Sequence, residues 1–253
     1  MDKTVLFTHS IFIQTVLRLF KEKVLRGAPT ELETALSHHL EGMKKTKGWR
    51  IGLVEAAAQS LGKPYSYEKA LQIGVPACGL HEISLIIDDL IDNDKVRRGQ
   101  LALHERVGRT EAGFAAGWLM AKALEGNSTY FTTSFAIEFV VDQVVRGEAS
   151  QKALQFSARP THIETWKTLA KQDTGAFFAF PFLALEVPWE WRPWVDRLAF
   201  LYHGLDDLED LVGEGDLAGG GIADVKDGVP TLPTCFTSLT TLEGLQAACP
   251  AAL

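Results

Sequence analysis

Cysteine is scarce in this chain. Cys78, Cys235 and Cys249 are the three present, too scattered for a disulfide framework or a zinc site, a usage that fits a reducing, cytoplasmic setting. A basic excess is missing too: 25 lysines and arginines against 32 aspartates and glutamates leave a formal net charge of −7. That excludes the cationic face with which a protein neutralises nucleic-acid phosphates. No cationic, apolar and small-residue series opens the chain, so no signal peptide is expected. The run from Val5 to Phe20 is interrupted by His9, Ser10, Gln14, Thr15 and Arg18, and reads as an amphipathic helix and not a transmembrane segment. Convincing period-two alternation is absent as well, which excludes a sheet-based fold.

What is present suits a helical protein. The chain has 253 residues, 46% of them hydrophobic, enough for a full core, and its breaks are too few to force a division, so a single domain over 1–253 is expected. Phe12, Val16, Leu17 and Phe20 recur at a helical interval, and Gly27 and Pro29 stop that helix. Thr30 can cap a second helix with Leu32, Ala35, Leu36, His39 and Leu40 as its stripe. A basic turn, Lys44 to Arg50, runs into a helix over 51–61; cations at a helix start oppose its dipole and hint at an anionic ligand. Pro76 is placed as the first residue of a central helix. Further helices are predicted over 111–124, 129–146 and 163–185, with a polar loop over 147–160 between the last two.

The central stretch runs from His81 to Gly99. It begins as an apolar helix and ends in Asp88-Asp89-Leu90-Ile91-Asp92, followed closely by Arg97-Arg98. On a helix Asp88 and Asp92 are four apart and Asp89 and Asp92 three apart, so the carboxylates share a face and repel one another. A cation among them removes the repulsion. Hard oxygen ligands with incomplete protein coordination favour Mg²⁺ that completes its shell with water and a substrate phosphate, and Arg97 and Arg98 are natural partners for phosphate oxygens. A lone motif of this length reads about equally well as a solvated helix end. A second copy, Asp206-Asp207-Leu208-Glu209-Asp210, shifts the balance: two such ends facing each other would cage divalent ions on a diphosphate. A helix bundle with inward carboxylates fits this pattern.

These residues resemble the trans-isoprenyl diphosphate synthases, the all-α polyprenyl synthetase family. The likeness runs from His81 through Ser84-Leu85-Ile86, Asp88-Asp89, Asp92-Asn93-Asp94 and Arg97-Arg98-Gly99 to His104, and again through Asp206-Asp207, Asp210, Asp224, Gly228 and Thr231-Leu232-Pro233, covering most of 47–233. The resemblance implies an isoprenoid synthase-like helical bundle around a central cavity, and a homodimer. It also implies three Mg²⁺ ions, held by Asp88, Asp89, Asp92, Asp206, Asp207 and Asp210, that help an allylic prenyl diphosphate lose pyrophosphate. Lys47, Arg50, His81 and Arg98 fall at positions that bind isopentenyl diphosphate, and Arg97 and Thr174 at positions that touch the allylic diphosphate, with His203 beside them.

The departures from the family pattern are specific. The first basic turn keeps Lys47 and Arg50 but loses a third cation. Asp173, Gly219 and Val229 stand at lysine positions, His203 replaces a glutamine, Gln151 an aspartate, and the chain stops early. Fewer cations around a leaving diphosphate weaken its binding or slow its departure, unless Lys171 or Lys226 compensates.

Chain elongation with isopentenyl diphosphate is the favoured reading, because the residues for that second substrate are largely kept. A cyclase, or a transferase to another acceptor, is the alternative that the lost lysines and the aromatics Phe177, Phe178 and Phe180 suggest. A non-catalytic partner subunit is the third. Ile83 and Ser84 lie one turn deeper than Asp88, where a growing tail must pass. Neither is aromatic, which predicts a product beyond fifteen carbons, with twenty favoured. His38, His39 and His162 read as satisfied structural residues, and Trp166, Trp189, Trp191 and Trp194 as packing or interface residues.

Overall fold

The computed structural model describes residues 10–46, 48–60, 67–126, 131–155, 161–212 and 228–236; the side chains of 131, 189 and 210–212 are outside that description. The fold is all-α. In chain order the helices are α1 (Ile11–Leu25), α2 (Glu33–Gly42), α3 (Trp49–Ser60), α4 (Tyr67–Asp92), α5 (Leu103–Val107), α6 (Arg109–Leu124), α7 (Phe131–Leu154), α8 (Ile163–Gln172), α9 (Thr174–Ala184) and α10 (Arg192–Val212). The chain separates into two compact units. The first holds Met1–Glu138 and Phe180–Pro188, the second Phe139–Ala179 and Trp189–Leu253.

In the first unit α4 is the central helix, packed against α6, α3 and α1. Its length and apolar composition would suffice to cross a membrane, but two-thirds of its apolar window is buried inside the protein. Its neighbours bury apolar stripes: from α1 the expected Phe12, Val16 and Phe20 with Val24, Leu17 being only half-buried, and from α6 Ala112, Ala115, Leu119 and Ala123. The approach is close at Gly79, where a Cβ would lie 2.9 Å from the Ala123 Cβ and 3.1 Å from the Phe20 ring. Ser10 caps α1, accepting from the Ile13 N–H at 3.4 Å and donating to Glu55 Oε2 at 2.7 Å. In the second unit α10 packs on α8, burying Trp166, Leu169, Ala170, Val195 and Ala199.

Four boundaries differ from expectation. Pro76 lies inside α4, which starts at Tyr67; proline removes one N–H from the ladder, and burial of the whole stretch Ile73 to Leu80 outweighs that loss. α7 continues through the predicted polar loop to Leu154, because Glu148, Ala149, Gln151, Lys152 and Ala153 are strong helix formers and Gly147 fits closely against Gln172. The helix expected over 163–185 is two helices, since Asp173 leaves helical geometry at φ −85°, ψ −90°. A short antiparallel hairpin pairs β1 (Val96–Arg97) with β2 (Gln100–Leu101), Val96 opposite Leu101 and Arg97 opposite Gln100. Two-residue strands are too short for alternation to reveal.

That hairpin positions the site. α4 ends with Asn93 in the left-handed region at φ 61° and with the Asp94 N–H on the Asp89 carbonyl at 3.2 Å, a Schellman-type end that folds the chain back over the helix. Arg98 and Gly99 then form the turn, both at positive φ, 55° and 72°, the signature of the type I′ turn that matches strand twist. Gln100 Nε2 donates to the His38 carbonyl at 3.1 Å, and His38 Nε2 to the Leu101 carbonyl at 2.8 Å, tying the hairpin to α2.

Candidate functional site

The first acidic cluster lies where α4 meets the hairpin. Ligand oxygens of Asp88, Asp89 and Asp94 lie within 4.8 Å of one another. Arg97, projecting from β1, sits among them: Nε donates to Asp89 Oδ1 at 2.6 Å, and Nη2 to Asp88 Oδ2 at 3.0 Å and to Asp94 Oδ2 at 3.1 Å. Asp92, expected at this point from its spacing, is not in the group. The reversal at Asn93 brings Asp94 back instead. Burial pushes the Asp89 carboxyl up despite the Arg97 charge beside it. The donor set is all hard oxygen, and a guanidinium already marks the position where positive charge is stabilised, so these residues fit a magnesium ion.

About two turns deeper on α4 is a second charged group. Glu82, 1% exposed, accepts a bidentate fork from Arg98, Nη1 to Oε2 and Nη2 to Oε1 each at 2.9 Å, and lies 3.0 Å from His39 Nε2. Burial would raise its carboxyl, but the His39 and Arg98 hydrogen bonds and charges outweigh it and hold Glu82 well below the usual carboxylate range. His81 Nε2 accepts from Arg50 Nη1 at 3.2 Å. Burial, followed by the Arg50 charge, pushes His81 well below its usual value, so it is neutral at pH 7. Of the residues expected to hold isopentenyl diphosphate, Arg50, His81 and Arg98 are therefore neighbours in charge, and Lys47 lies outside the described residues. Ile83 is buried, and Ser84, half-buried, donates to the His81 carbonyl at 2.9 Å.

In the second unit Asp207 is buried and structurally committed through one oxygen: Oδ2 accepts from Trp166 Nε1 at 2.8 Å and from the Leu232 N–H at 2.6 Å. The other oxygen lies 4.0 Å from His203 Nε2. Burial raises the Asp207 carboxyl, opposed by the His203 charge. His203 Nδ1 and Thr174 Oγ1 are hydrogen-bonded at 2.9 Å, and Asp173 Oδ2 is 3.8 Å from the same nitrogen. Asp206 is half-buried one residue earlier on α10, and the Asp210 side chain lies outside the described residues. Lys171 is paired with Asp196 at 3.2 Å, so it is committed elsewhere; Gly219, Asp224 and Lys226 are likewise not described.

Asp94, Glu82, His39 and Trp166 were not singled out from sequence as site residues. Glu82 carried a usable signal, an acid inside an apolar helical run that requires a buried partner. His39 lies against Glu82 with Nε2 at ion-pair distance, and His162 caps α8, accepting from the Glu164 N–H at 3.2 Å. Phe177 and Phe178 are buried packing residues, Phe178 edge-on to Tyr202 at 5.4 Å.

The polyprenyl synthetase family model matches residues 29–245. The geranylgeranyl pyrophosphate synthase of Geoglobus acetivorans is 25% identical over 226 residues, covering 84% of this chain and 70% of its own. A short chain isoprenyl diphosphate synthase of Methanocaldococcus jannaschii is 24% identical over 243 residues, 88% of this chain and 74% of its own. Among solved structures, heptaprenyl diphosphate synthase from Staphylococcus aureus superposes with a TM-score of 0.76 at 23% identity, covering 88% of this chain and 72% of that one.

The depressed Glu82 carboxyl makes a stability prediction. Its contribution is complete above the unfolded glutamate value of about 4.3 and is lost as pH falls toward the folded value. Glu82→Gln is expected to cost ~3 kcal/mol at pH 7, with the gap to wild type narrowing between about pH 5 and pH 3. Urea unfolding across that range checks this, and a gap that does not change with pH contradicts it.

Proposed function

This trans-prenyltransferase belongs to the polyprenyl synthetase family, and we propose that it condenses an allylic prenyl diphosphate with isopentenyl diphosphate to give a chain of about twenty carbons. The observation that carries the reading is the pairing of two charged groups on one helix: the acids gathered about Arg97, and about two turns away the Arg50–His81 and Arg98–Glu82 pairs. In the reaction the allylic C–O bond breaks with its electron pair leaving on pyrophosphate. The isopentenyl double bond supplies the electrons of the new C–C bond, and loss of a proton restores an alkene.

In this reading Asp88, Asp89, Asp92 and Asp94 would hold Mg²⁺ at the end of α4, and Asp206, Asp207 and Asp210 on α10 are proposed separately as metal ligands of the second unit. The metal supplies charge neutralisation to the departing pyrophosphate. Arg50, His81, Arg98 and Lys47 bind isopentenyl diphosphate. His81 does so as a neutral imidazole, fixed by its bond from Arg50. Arg97 is proposed to donate to the allylic diphosphate, and Thr174 and His203, hydrogen-bonded to each other in the second unit, are proposed separately as polar contacts for a diphosphate. With Asp173 near His203, the allylic diphosphate has fewer cations than is usual for the family, which supports a weak hold on that substrate. Cytoplasmic location is part of the same proposal.

A homodimer is also proposed. Phe114, 63% exposed on α6, lines an open groove of about 460 Å³ together with Glu31, Leu32, Gly113, Gly117, Trp118 and Ala121. A Cβ at Gly113 or Gly117 would meet nothing within 4 Å. An exposed aromatic lining an open apolar groove is a face that a second copy of this chain would cover.

Purified protein with Mg²⁺, farnesyl diphosphate and isopentenyl diphosphate is expected to form a twenty-carbon diphosphate. EDTA should abolish turnover, and Asp89→Asn should lower it by at least roughly a hundredfold; the absence of any longer prenyl diphosphate refutes the assignment. Ser84→Phe places a ring one turn below Asp88 and should shorten the product; the same chain length on chromatography would remove Ser84 from the tunnel. Phe114→Asp is expected to convert a sedimenting dimer to monomer, whereas a monomeric wild type contradicts the pairing.

A further inference from the structure

Glu82 is costly where it stands. A carboxylate at 1% exposure in the middle of an apolar helix is tolerated only with well-formed partners, and it has them from two other elements: Arg98 in the hairpin turn and His39 on α2. The Arg98 backbone is itself in the left-handed region at φ 55°, a conformation that a non-glycine residue adopts at some cost. Two unfavourable choices, a buried acid and a left-handed arginine, thus meet in one bidentate bond. The fork uses one hydrogen on each terminal nitrogen of Arg98 and leaves Nε–H and the outer hydrogens for an anion. His81, the residue before Glu82, feels the charges of Arg50 and Arg98 together.

We propose that Glu82 is a positioning residue acting through Arg98: its fork fixes the guanidinium beside the Arg50–His81 pair, so that isopentenyl diphosphate meets donors already in place. This rests on the reading of Arg98 as a ligand for that substrate. Electrostatics alone argues the other way, because a negative charge next to Arg98 weakens its pull on a diphosphate. The benefit must therefore be orientational. A free arginine side chain loses rotamer freedom when it binds, and one held in advance loses less.

The test uses Glu82→Asp, which keeps the charge but is one methylene too short to serve both the Arg98 fork and His39. The KM for isopentenyl diphosphate should rise roughly tenfold, with kcat and the KM for the allylic substrate within about twofold of wild type. In an Arg98→Lys background, which has no fork to orient, adding Glu82→Asp should change the isopentenyl KM no further. His39→Gln, a milder loss at the edge of the same group, should raise that KM in the same direction by less. An unchanged isopentenyl KM, an undiminished effect in the Arg98→Lys background, or an equal decline for both substrates along with the melting temperature would each overturn the proposal. A wild type that elongates nothing fails the functional reading and takes this inference with it. An active wild type with a silent Glu82→Asp fails this inference alone.

Discussion

A carboxylate withdrawn from water needs positive charge beside it, and the end of α4 is arranged around that need. Asp89 is buried, with Asp88 and Asp94 within a few ångströms of it; without a cation the three would repel in a medium where repulsion is poorly screened. Arg97 supplies the cation through hydrogen bonds to all three. Nothing about α4 alone would put it there. The left-handed Asn93 ends the helix and the turn at Arg98-Gly99 reverses the chain, so that Arg97 returns over the carboxylates. A tethered guanidinium is an exchangeable partner, since a divalent ion offers the same carboxylates more charge in less space, and the released arginine keeps its attraction for phosphate. Were a divalent ion to bind there, its uptake and the presentation of Arg97 would be coupled through one set of oxygens.

The second unit obeys the same physics with different groups. Asp207 is buried on α10, and its carboxyl is also pushed up by the loss of water. Its partners are neutral donors, the Trp166 indole and the Leu232 amide, with His203 the nearby group able to carry charge. Neutral donors orient a carboxylate without cancelling its charge. Each acidic helix thus holds one carboxylate whose ionised form is costly, a condition that added positive charge relieves in both cases.

How much of this was legible in the sequence depended on range. The helical class and the stripes of α1 and α2 follow from spacing along one element, where periodicity is a direct reading of burial. The misplaced boundaries at Pro76, Gly147 and Asp173 come from local rules, proline as a starter and polarity as a loop, overruled by packing that joins distant segments. Asp94 in place of Asp92 is the most instructive difference. Counting three and four along a helix assumes that the helix continues, and the carboxylate that joins Asp88 and Asp89 lies beyond its end. The Glu82–Arg98 fork, sixteen residues apart, was hidden for the same reason: each residue had a plausible local role, solvated acid or phosphate ligand, and only the hairpin shows that they belong to each other.

The cations that are absent sharpen the argument about those that are present. With Asp173, Gly219 and Val229 at lysine positions and Lys171 held by Asp196, positive charge in the described parts of the proposed site is concentrated in Arg50, Arg97 and Arg98. Two of the three are fastened to carboxylates. An arginine so fastened presents less net charge than a free lysine but a fixed direction, and its guanidinium stays protonated under any condition in which the fold persists. On the proposed function, recognition of diphosphate by this chain would therefore lean on the direction of its donors more than on a surplus of cations.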